Sequence, residues 1–345
     1  EETPPSLVAI TNHRLRQLSR PALQILQTCA VLGRFSSIAR LEQVLELKTF
    51  ELLNGLNELG MRALVRTEHL PGQTNLEPPI VCSHELIGME AVKFLSHPAE
   101  IALHRRVGVI LEEETSATYS PNLVAEAAHH WEKAGDMKHA LRLTLSYADH
   151  LMGIGVPTDA IHSYKKALTF CQSNTEMIDV LKALVPALYA AGHWQLVGEA
   201  IDHLKEILVA DSHSVIGHSE TELIGFEAKW RSSNEWHDLL NQVKRCIFDE
   251  NAPAEHRVRA AVLGLKLATN VEDEEELDQI FSAVESSLEH PQVEPEARLY
   301  VEMVYNIDRG QMEKGKCAAM SLVTRERSAG NLGNLIWALV NAAQA

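Results

Sequence analysis

Ala148-Asp149-His150-Leu151-Met152-Gly153-Ile154-Gly155-Val156-Pro157-Thr158-Asp159-Ala160-Ile161-His162-Ser163-Tyr164-Lys165-Lys166-Ala167 says more about this protein's architecture than any other twenty residues. Gly155-Val156-Pro157 interrupts two apolar-periodic segments, so the stretch reads as helix, short break, helix. The small residues Ala148, Gly155, Ala160 and Ala167 let the two helices approach at their crossing, and Tyr164 fills the gap left between them.

That spacing fits the tetratricopeptide pattern. Trp131-x3-Gly135-x4-Ala140 and Ala191-Gly192-x7-Ala200 are partial copies of it. From Asn122 onward the breaks fall at Gly135-Asp136, Gly155-Val156-Pro157, Asn174, Gly192-His193, 211–217, Ser232-Ser233, Asn251 to Pro253, Val271-Glu272-Asp273, Pro291, Gly310 and Gly330. They separate helices of about 13–18 residues, and a hairpin with its turns occupies roughly 35–40, the period of a helical-hairpin solenoid. Beyond about residue 215 the match fades to helix length alone, so the latter part reads as a degenerate array, with a last helix starting near Asn331 and cut short at Ala345.

The N-terminal part has a different pattern. Ser19 is a good N-cap, with Pro21 in the first turn, an apolar series Leu23, Ile25, Leu26, Cys29, Ala30, and Gly33 as a stop, giving a helix of about thirteen residues. Ser36/Ser37 open a second helix (Ile38, Leu41, Val44, Leu45), and Thr49 precedes a third (Leu52, Leu53, Leu56, Leu59) that ends at Gly60. Ala63 to Thr67 and Ile80-Val81-Cys82 read as a β-hairpin with a long tip rich in turn formers. Helix, helix, helix, strand, wing, strand is the winged-helix order. Ser83 then caps a helix with Leu86, Ile87, Ala91, Val92 and Leu95, and Pro98 opens another with Ile101, Leu103, Val107, Ile110 and Leu111.

Composition agrees with a mainly α chain. Its 345 residues include only 18 glycines and 13 prolines, too few for the turns of a sandwich or barrel. No window nears the roughly 18–20 apolar residues of a membrane span, and Glu1-Glu2-Thr3 is neither an initiator Met nor a signal sequence. A start inside a longer protein is therefore expected. The formal charge is −16, and the acidity lies in the second part: residues 1–120 carry 11 basic and 14 acidic side chains, residues 121–345 carry 20 and 33. Five dispersed cysteines without a CxxC pair read as reduced core thiols of a cytoplasmic protein.

Chemistry-bearing motifs are few. No GxxxxGK[ST], GxGxxG or GxSxG motif occurs, so the region is expected to bind no nucleotide on its own and to be no enzyme. Among 17 histidines, His84-Glu85-Leu86-Ile87-Gly88 puts Gly where a zinc protease helix needs its second His, and the adjacent His129-His130 point about 100° apart on a helix. Spacing therefore offers no metal site. Glu112-Glu113-Glu114 reads as a solvated helix end, and 272–276 as carboxylates at a helix N-terminus starting near Asp273. Between Ser36 and Gly60, Arg40 and Lys48 face Glu42, Glu46, Glu51 and Glu58; a net charge of −2 is wrong for a DNA reader, so the unit reads as protein-facing.

Four ordered blocks resemble the segment that follows the ATPase module in STAND proteins, signal-transducing ATPases with numerous domains that include maltose-activator-like and large LuxR-type bacterial transcription regulators. The blocks are Leu18-Ser19-x2-Ala22-Leu23-x-Ile25-Leu26-x2-Cys29-Ala30-Val31-Leu32-Gly33-Arg34-Phe35, Ser83-His84-Glu85-Leu86-Ile87-x2-Glu90-Ala91-Val92, Leu103-His104-Arg105-Arg106-Val107, and Ala125-x3-His129-x2-Lys133-Ala134-Gly135-Asp136. They span about residues 12–210. The resemblance implies a winged helix packed on an ATPase module in cis and a tetratricopeptide-like sensor arm, with ATP or ADP held by the parent protein. It also implies that His84, matching the histidine of a Met-His-Asp-type motif, touches the β-phosphate of ADP. The alternative is that His84 only caps and packs its helix. Glu85 replaces the commoner Asp, and Gly88-Met89 stand where an Arg is common, so no arginine contact carries over.

The sequence thus predicts a linker (1–11), a winged-helix domain with exit helices (12–118) and a tetratricopeptide-like array (119–345). The array is expected to take a small inducer or a basic protein partner, with no nucleic acid and no membrane contact. Its tryptophans, Trp131, Trp194, Trp230, Trp236 and Trp337, read as core rather than as groove residues. A free-standing tetratricopeptide-like scaffold without a nucleotide link is the second reading, and a hydrolase or metalloenzyme a third.

Overall fold

A computed structural model describes residues 5–68, 78–210, 220–232, 236–270 and 274–329, with positions 339, 342 and 343 beyond them. Seventeen α-helices and one two-stranded sheet account for nearly all of these. The chain is an α-solenoid of helical hairpins, in two compact units, Glu1–Ser173 and Asn174–Ala345.

In the first unit α1 (Pro5–Arg16) covers most of the stretch assigned to a linker. It buries Leu15 completely, and Asn12 donates to Glu90 at 3.0 Å, which anchors it to the body of the unit. α2 (Arg20–Leu32) starts as expected: the Ser19 hydroxyl accepts from the Ala22 amide at 3.3 Å, and Pro21 lies in the first turn. Gly33, at φ +53°, ends it and opens a single 3-10 turn, Gly33–Phe35. α3 (Ile38–Leu45) is capped by Ser37, and α4 (Thr49–Met61) packs Leu52, Gly55 and Leu59 inward. A Cβ on Gly55 would run into the Ile25 side chain, so α4 packs closely on α2 there.

β1 (Val65–Thr67) and β2 (Ile80–Cys82) pair antiparallel, Val65 opposite Cys82 and Thr67 opposite Ile80. The expected hairpin tip lies largely in residues 69–77, outside the described residues. The Ile80 amide also donates to the Ser36 carbonyl at 3.0 Å, joining the hairpin to the start of α3. α5 (Glu85–Lys93) follows, and the Gln27 side chain donates to the Ala91 carbonyl at 3.1 Å, fixing α5 on α2.

α6 (His97–Ala117) has two partners. Toward α3, Arg40 grips Glu114 with Nε and Nη2, at 2.7 to 3.1 Å, and Arg106 donates to the Gln43 carbonyl at 2.9 Å. Toward α7 (Pro121–Lys133), a Cβ on Gly108 would lie 3.1–3.2 Å from three atoms of the Trp131 indole, so the indole lies directly against the α6 backbone at a close crossing. Because α6 packs on both sides, the winged-helix-order elements and the first hairpins form one unit. The two compact units divide between Ser173 and Asn174.

α8 (Met137–Gly153) and α9 (Pro157–Leu168) continue the stack. Ala148, Ala160 and Ala167 are wholly buried at their crossing, Tyr164 is 2% exposed, and its hydroxyl donates to Asp149 at 2.6 Å. The turn between them is a Schellman motif: Val156 N–H to Leu151 C=O at 2.9 Å, with Gly155 at φ +78°, where a side chain would be strained. The same six-residue bond recurs from Asp136 to Trp131, from His193 to Leu188 and from Gln311 to Asn306, around Gly135, Gly192 and Gly310. The same turn therefore reappears at residue 310, past the point where the residue pattern fades.

The second unit comprises α10 (Asn174–Ala190), α11 (Trp194–Ala210), α12 (Glu220–Ser232), α13 (Trp236–Phe248), α14 (Ala254–Asn270), α15 (Glu274–Glu285), α16 (Pro295–Asp308) and α17 (Met312–Ala329). Its breaks fall where expected at Asn251 to Pro253, Pro291 and Gly310; those at 211–217, 271–273 and Gly330, and the helix near Asn331, lie outside the described residues. Val243, Ile247, Val258, Leu265, Ile280 and Val301 are wholly buried in its core. Among the described residues no helix is long and apolar enough to cross a membrane.

Candidate functional site

His84 lies where β2 hands over to α5, and the structure corrects its neighbour: His84, not Ser83, is the N-cap. The ring does what a capping hydroxyl would do, its Nδ1 accepting from the Leu86 amide at 3.1 Å. An accepting Nδ1 carries no proton, so the neutral ring keeps its proton on Nε2. The residue is exposed, and α5's first-turn amides give a favourable dipole for an anion. Behind it, a Cβ on Gly88 would press on Ala30 Cβ and Cys82 Sγ, both at 3.3 Å. Gly88 thus serves close packing of α5 on α2 and β2.

The four family-like blocks meet in pairs: α2 with α5, and α6 with α7. In the second pair His104 and His130, 8% and 1% exposed, place their Nδ1 atoms 2.8 Å apart. One ring must donate and the other accept, so this contact holds a single proton. Burial, followed by the nearby charge of His130, pushes His104 down to about 4. His129 is half-exposed and its ring is tilted away, with 5.7 Å between centroids, so the adjacent pair does not converge on one ion.

Two members of the acidic run at 112–114 are partnered rather than solvated. Trp131 Nε1 donates to Glu112 at 2.8 Å, Arg142 bonds the same carboxylate, and Glu114 holds Arg40. The second run behaves as expected: Glu274, Glu275 and Glu276 occupy the first turn of α15, with Lys244 on Glu276 at 2.6 Å. Of the cysteines, Cys29 and Cys246 are buried and Cys82 and Cys171 half-buried, but Cys317 is exposed and so departs from the core reading. Burial pushes the Cys29 thiol up to about 12.

The second unit gathers an aromatic and charged network that sequence spacing did not reveal. Tyr189 at the end of α10 donates to Glu227 of α12 at 2.8 Å, and Arg231, one turn on, holds the other oxygen of Glu227 with Nε and Nη2 at 3.1 and 2.8 Å. The Arg231 guanidinium lies 4.5 Å from the Trp194 ring centroid and 5.2 Å from that of Trp230. Tyr189 meets Trp194 edge-on, with centroids 5.2 Å apart. Lys266 Nζ sits 5.8 Å from the Trp230 centroid, and burial lowers its pKa, with Glu227 opposing. Burial, then the Glu227 charge, pushes the Tyr189 phenol up. The core reading therefore holds fully for Trp131, whereas Trp194 and Trp230 are half-buried platforms for cations; Trp337 lies outside the described residues. Such a network holds a polar surface rigid, and offers π faces and paired charges to a ligand.

No family model matches the chain, and no curated protein matches it. Among solved structures it is similar to a signal transduction ATPase with numerous domains (STAND) protein with a tetratricopeptide repeat sensor, from Pyrococcus horikoshii. The TM-score is 0.38 and the identity 11%, over 99% of this chain and 56% of that one. The chain spans little more than half the length of that protein.

Proposed function

We propose that this chain is the regulatory region of a STAND-type, ATP-dependent signalling or transcription regulator. In this reading the elements from α2 to α5 act as a winged helix that relays nucleotide state from an ATPase module in cis. The helical hairpins beyond bind a small inducer or a protein partner. The region itself catalyses nothing and holds no cofactor alone; ADP or ATP belongs to the ATPase module, in a cytoplasmic setting.

The observation that carries the reading is His84: exposed at a helix N-terminus, its Nδ1 committed to the Leu86 amide, its remaining N–H donor suited to a phosphate oxygen. The exposed face of α4 supports a protein partner over DNA, since Phe50 and Met61 are 81% and 84% exposed beside Glu51. ADP favours docking of the winged helix on the ATPase, and the signal favours release, a population shift that requires tighter binding to the open form.

The first test is the mass of the native protein and the reading frame upstream of Glu1. A P-loop ahead of this segment is the expected result; a native start near Glu1 leaves a free-standing helical scaffold and removes the phosphate from His84. In the full-length protein, H84A should release ADP faster and raise basal activity, and unchanged ADP retention would refute the sensor role.

A further inference from the structure

Three helices of the second unit converge on one point. Glu222 in the first turn of α12, Cys246 in the last turn of α13 and His256 in the first turn of α14 each bring one metal-ligating atom there, all within 4.8 Å of one another. His256 Nε2 and Glu222 Oε2 are 3.8 Å apart. Cys246 and His256 are buried, 8% and 5% exposed, and the Glu222 side chain is 24% exposed. From this geometry we propose that Glu222, Cys246 and His256 form a zinc-binding site, which goes beyond the regulatory reading above and does not depend on it.

The chemistry of the set favours this ion. A tetrahedral centre with bonds of about 2.0–2.3 Å needs ligand atoms about 3.3–3.7 Å apart. The Glu222–His256 pair is already near that separation at 3.8 Å, and the widest of the three, within 4.8 Å, must close in by about 1–1.5 Å. Thiolate plus imidazole selects a borderline-soft cation over magnesium or calcium. Charge also balances: one thiolate, one carboxylate and a neutral imidazole around a divalent ion sum to zero, which suits a buried site. Without a cation, burial and then the Glu222 and Asp249 carboxylates push the thiol up to about 11, so it is protonated at neutral pH. Metal binding replaces that proton: the S–H bond breaks, the Zn–S bond forms, and one proton leaves to solvent per ion bound. The fourth position is left to water. The ion would join the start of α12 to the α13–α14 hairpin, three elements the chain otherwise ties only by packing and side-chain bonds.

Separations of 24 and 10 residues along the chain match no spacing rule for zinc ligands, which is why the sequence offers no sign of this set.

The test is cobalt and zinc titration of the intact, metal-stripped, reduced chain. One equivalent of cobalt should give the absorption of a tetrahedral site together with thiolate-to-cobalt charge transfer, and zinc should displace it. C246S should abolish the charge-transfer band, and E222Q and H256N should weaken zinc binding about tenfold or more. C317S, at the exposed cysteine, should leave the band intact. Because surface histidines also take up zinc, the thiolate band is the deciding signal. Its absence from the wild-type chain, or its persistence in C246S, would overturn the proposal. E222Q changes a partly exposed side chain at constant shape, so a folded E222Q with undiminished affinity would overturn it as well.

Discussion

Acid should weaken the first unit through one buried contact. His104 and His130 share a single proton across 2.8 Å, and burial pushes His104 from 6.5 to about 4. The neighbouring charges are His130, His129 and Lys133, which oppose protonation, and Glu126, which favours it. In the unfolded chain the ring takes up its proton near its ordinary value, whereas the folded chain refuses it until about pH 4. Between those values the unfolded state binds more protons, so stability is fully present above about pH 6.5 and is lost as the pH falls toward 4. For one group with these two values the loss is about 2 kcal/mol at pH 5, rising to about 3 kcal/mol in stronger acid.

The contact can be removed by H104L/H130L, in which two apolar side chains replace two bonded rings, although His130 Nε2 also lies 3.4 Å from Glu126 and that carboxylate loses its partner. Urea unfolding of both proteins at pH 8 and pH 5 then measures the contribution of the two rings, and E126Q in both backgrounds removes the effect of the carboxylate beside His130. The wild type should lose about 2 kcal/mol more than the double variant over that interval. Histidine ring NMR offers a direct reading, in which the 104 ring stays neutral at pH 5. Equal acid losses in the two proteins, or a 104 ring that titrates near 6.5, would show that the contact imposes no such restraint.

Gly155→Val places a β-branched residue at φ +78° and should cost about 2 kcal/mol or more, seen as a lower unfolding midpoint, whereas Gly153→Ala in the preceding helix should be nearly neutral or stabilising. Trp131→Ala leaves a void beside Gly108 and strips Glu112 of its indole donor; a loss of about 3–5 kcal/mol in chemical denaturation is expected. Tyr164→Phe removes only the hydroxyl bonded to Asp149 and should cost about 1–2 kcal/mol in the same assay. Arg231→Ala takes away both the Glu227 pair and the cation on Trp194, so tryptophan fluorescence should shift and a ligand that uses this face should bind at least severalfold more weakly.

Local signals were legible where chemistry is local. Ser19, Ser37 and Gly33 mark helix ends through bonds to residues three or four positions away, and each sits at the end it was expected to mark. Ser83 failed because the next residue, His84, presents a ring nitrogen to the same amide, and sequence alone does not say which of two adjacent caps wins. The acidic run at 112–114 misled for a different reason: its partners Arg40, Trp131 and Arg142 come from other helices, so its solvation depended on packing. The opening residues misled likewise, because α1 is held in place by Leu15 and by Asn12 on Glu90, 78 positions away.

By itself the sequence determined that this protein is a run of short helices joined by glycine turns, because helix periodicity, caps and left-handed glycines act within one or two turns of chain. Only the tertiary structure decided which side chains share a proton, a carboxylate or a cation site. His104 with His130, Tyr189 with Glu227, and Glu222 with Cys246 and His256 are separated by 10 to 38 residues. Nothing in their spacing brings them together, because the distance between side chains on different helices is set by how closely those helices cross, at places such as Gly108 against Trp131 and Gly264 against Ile247.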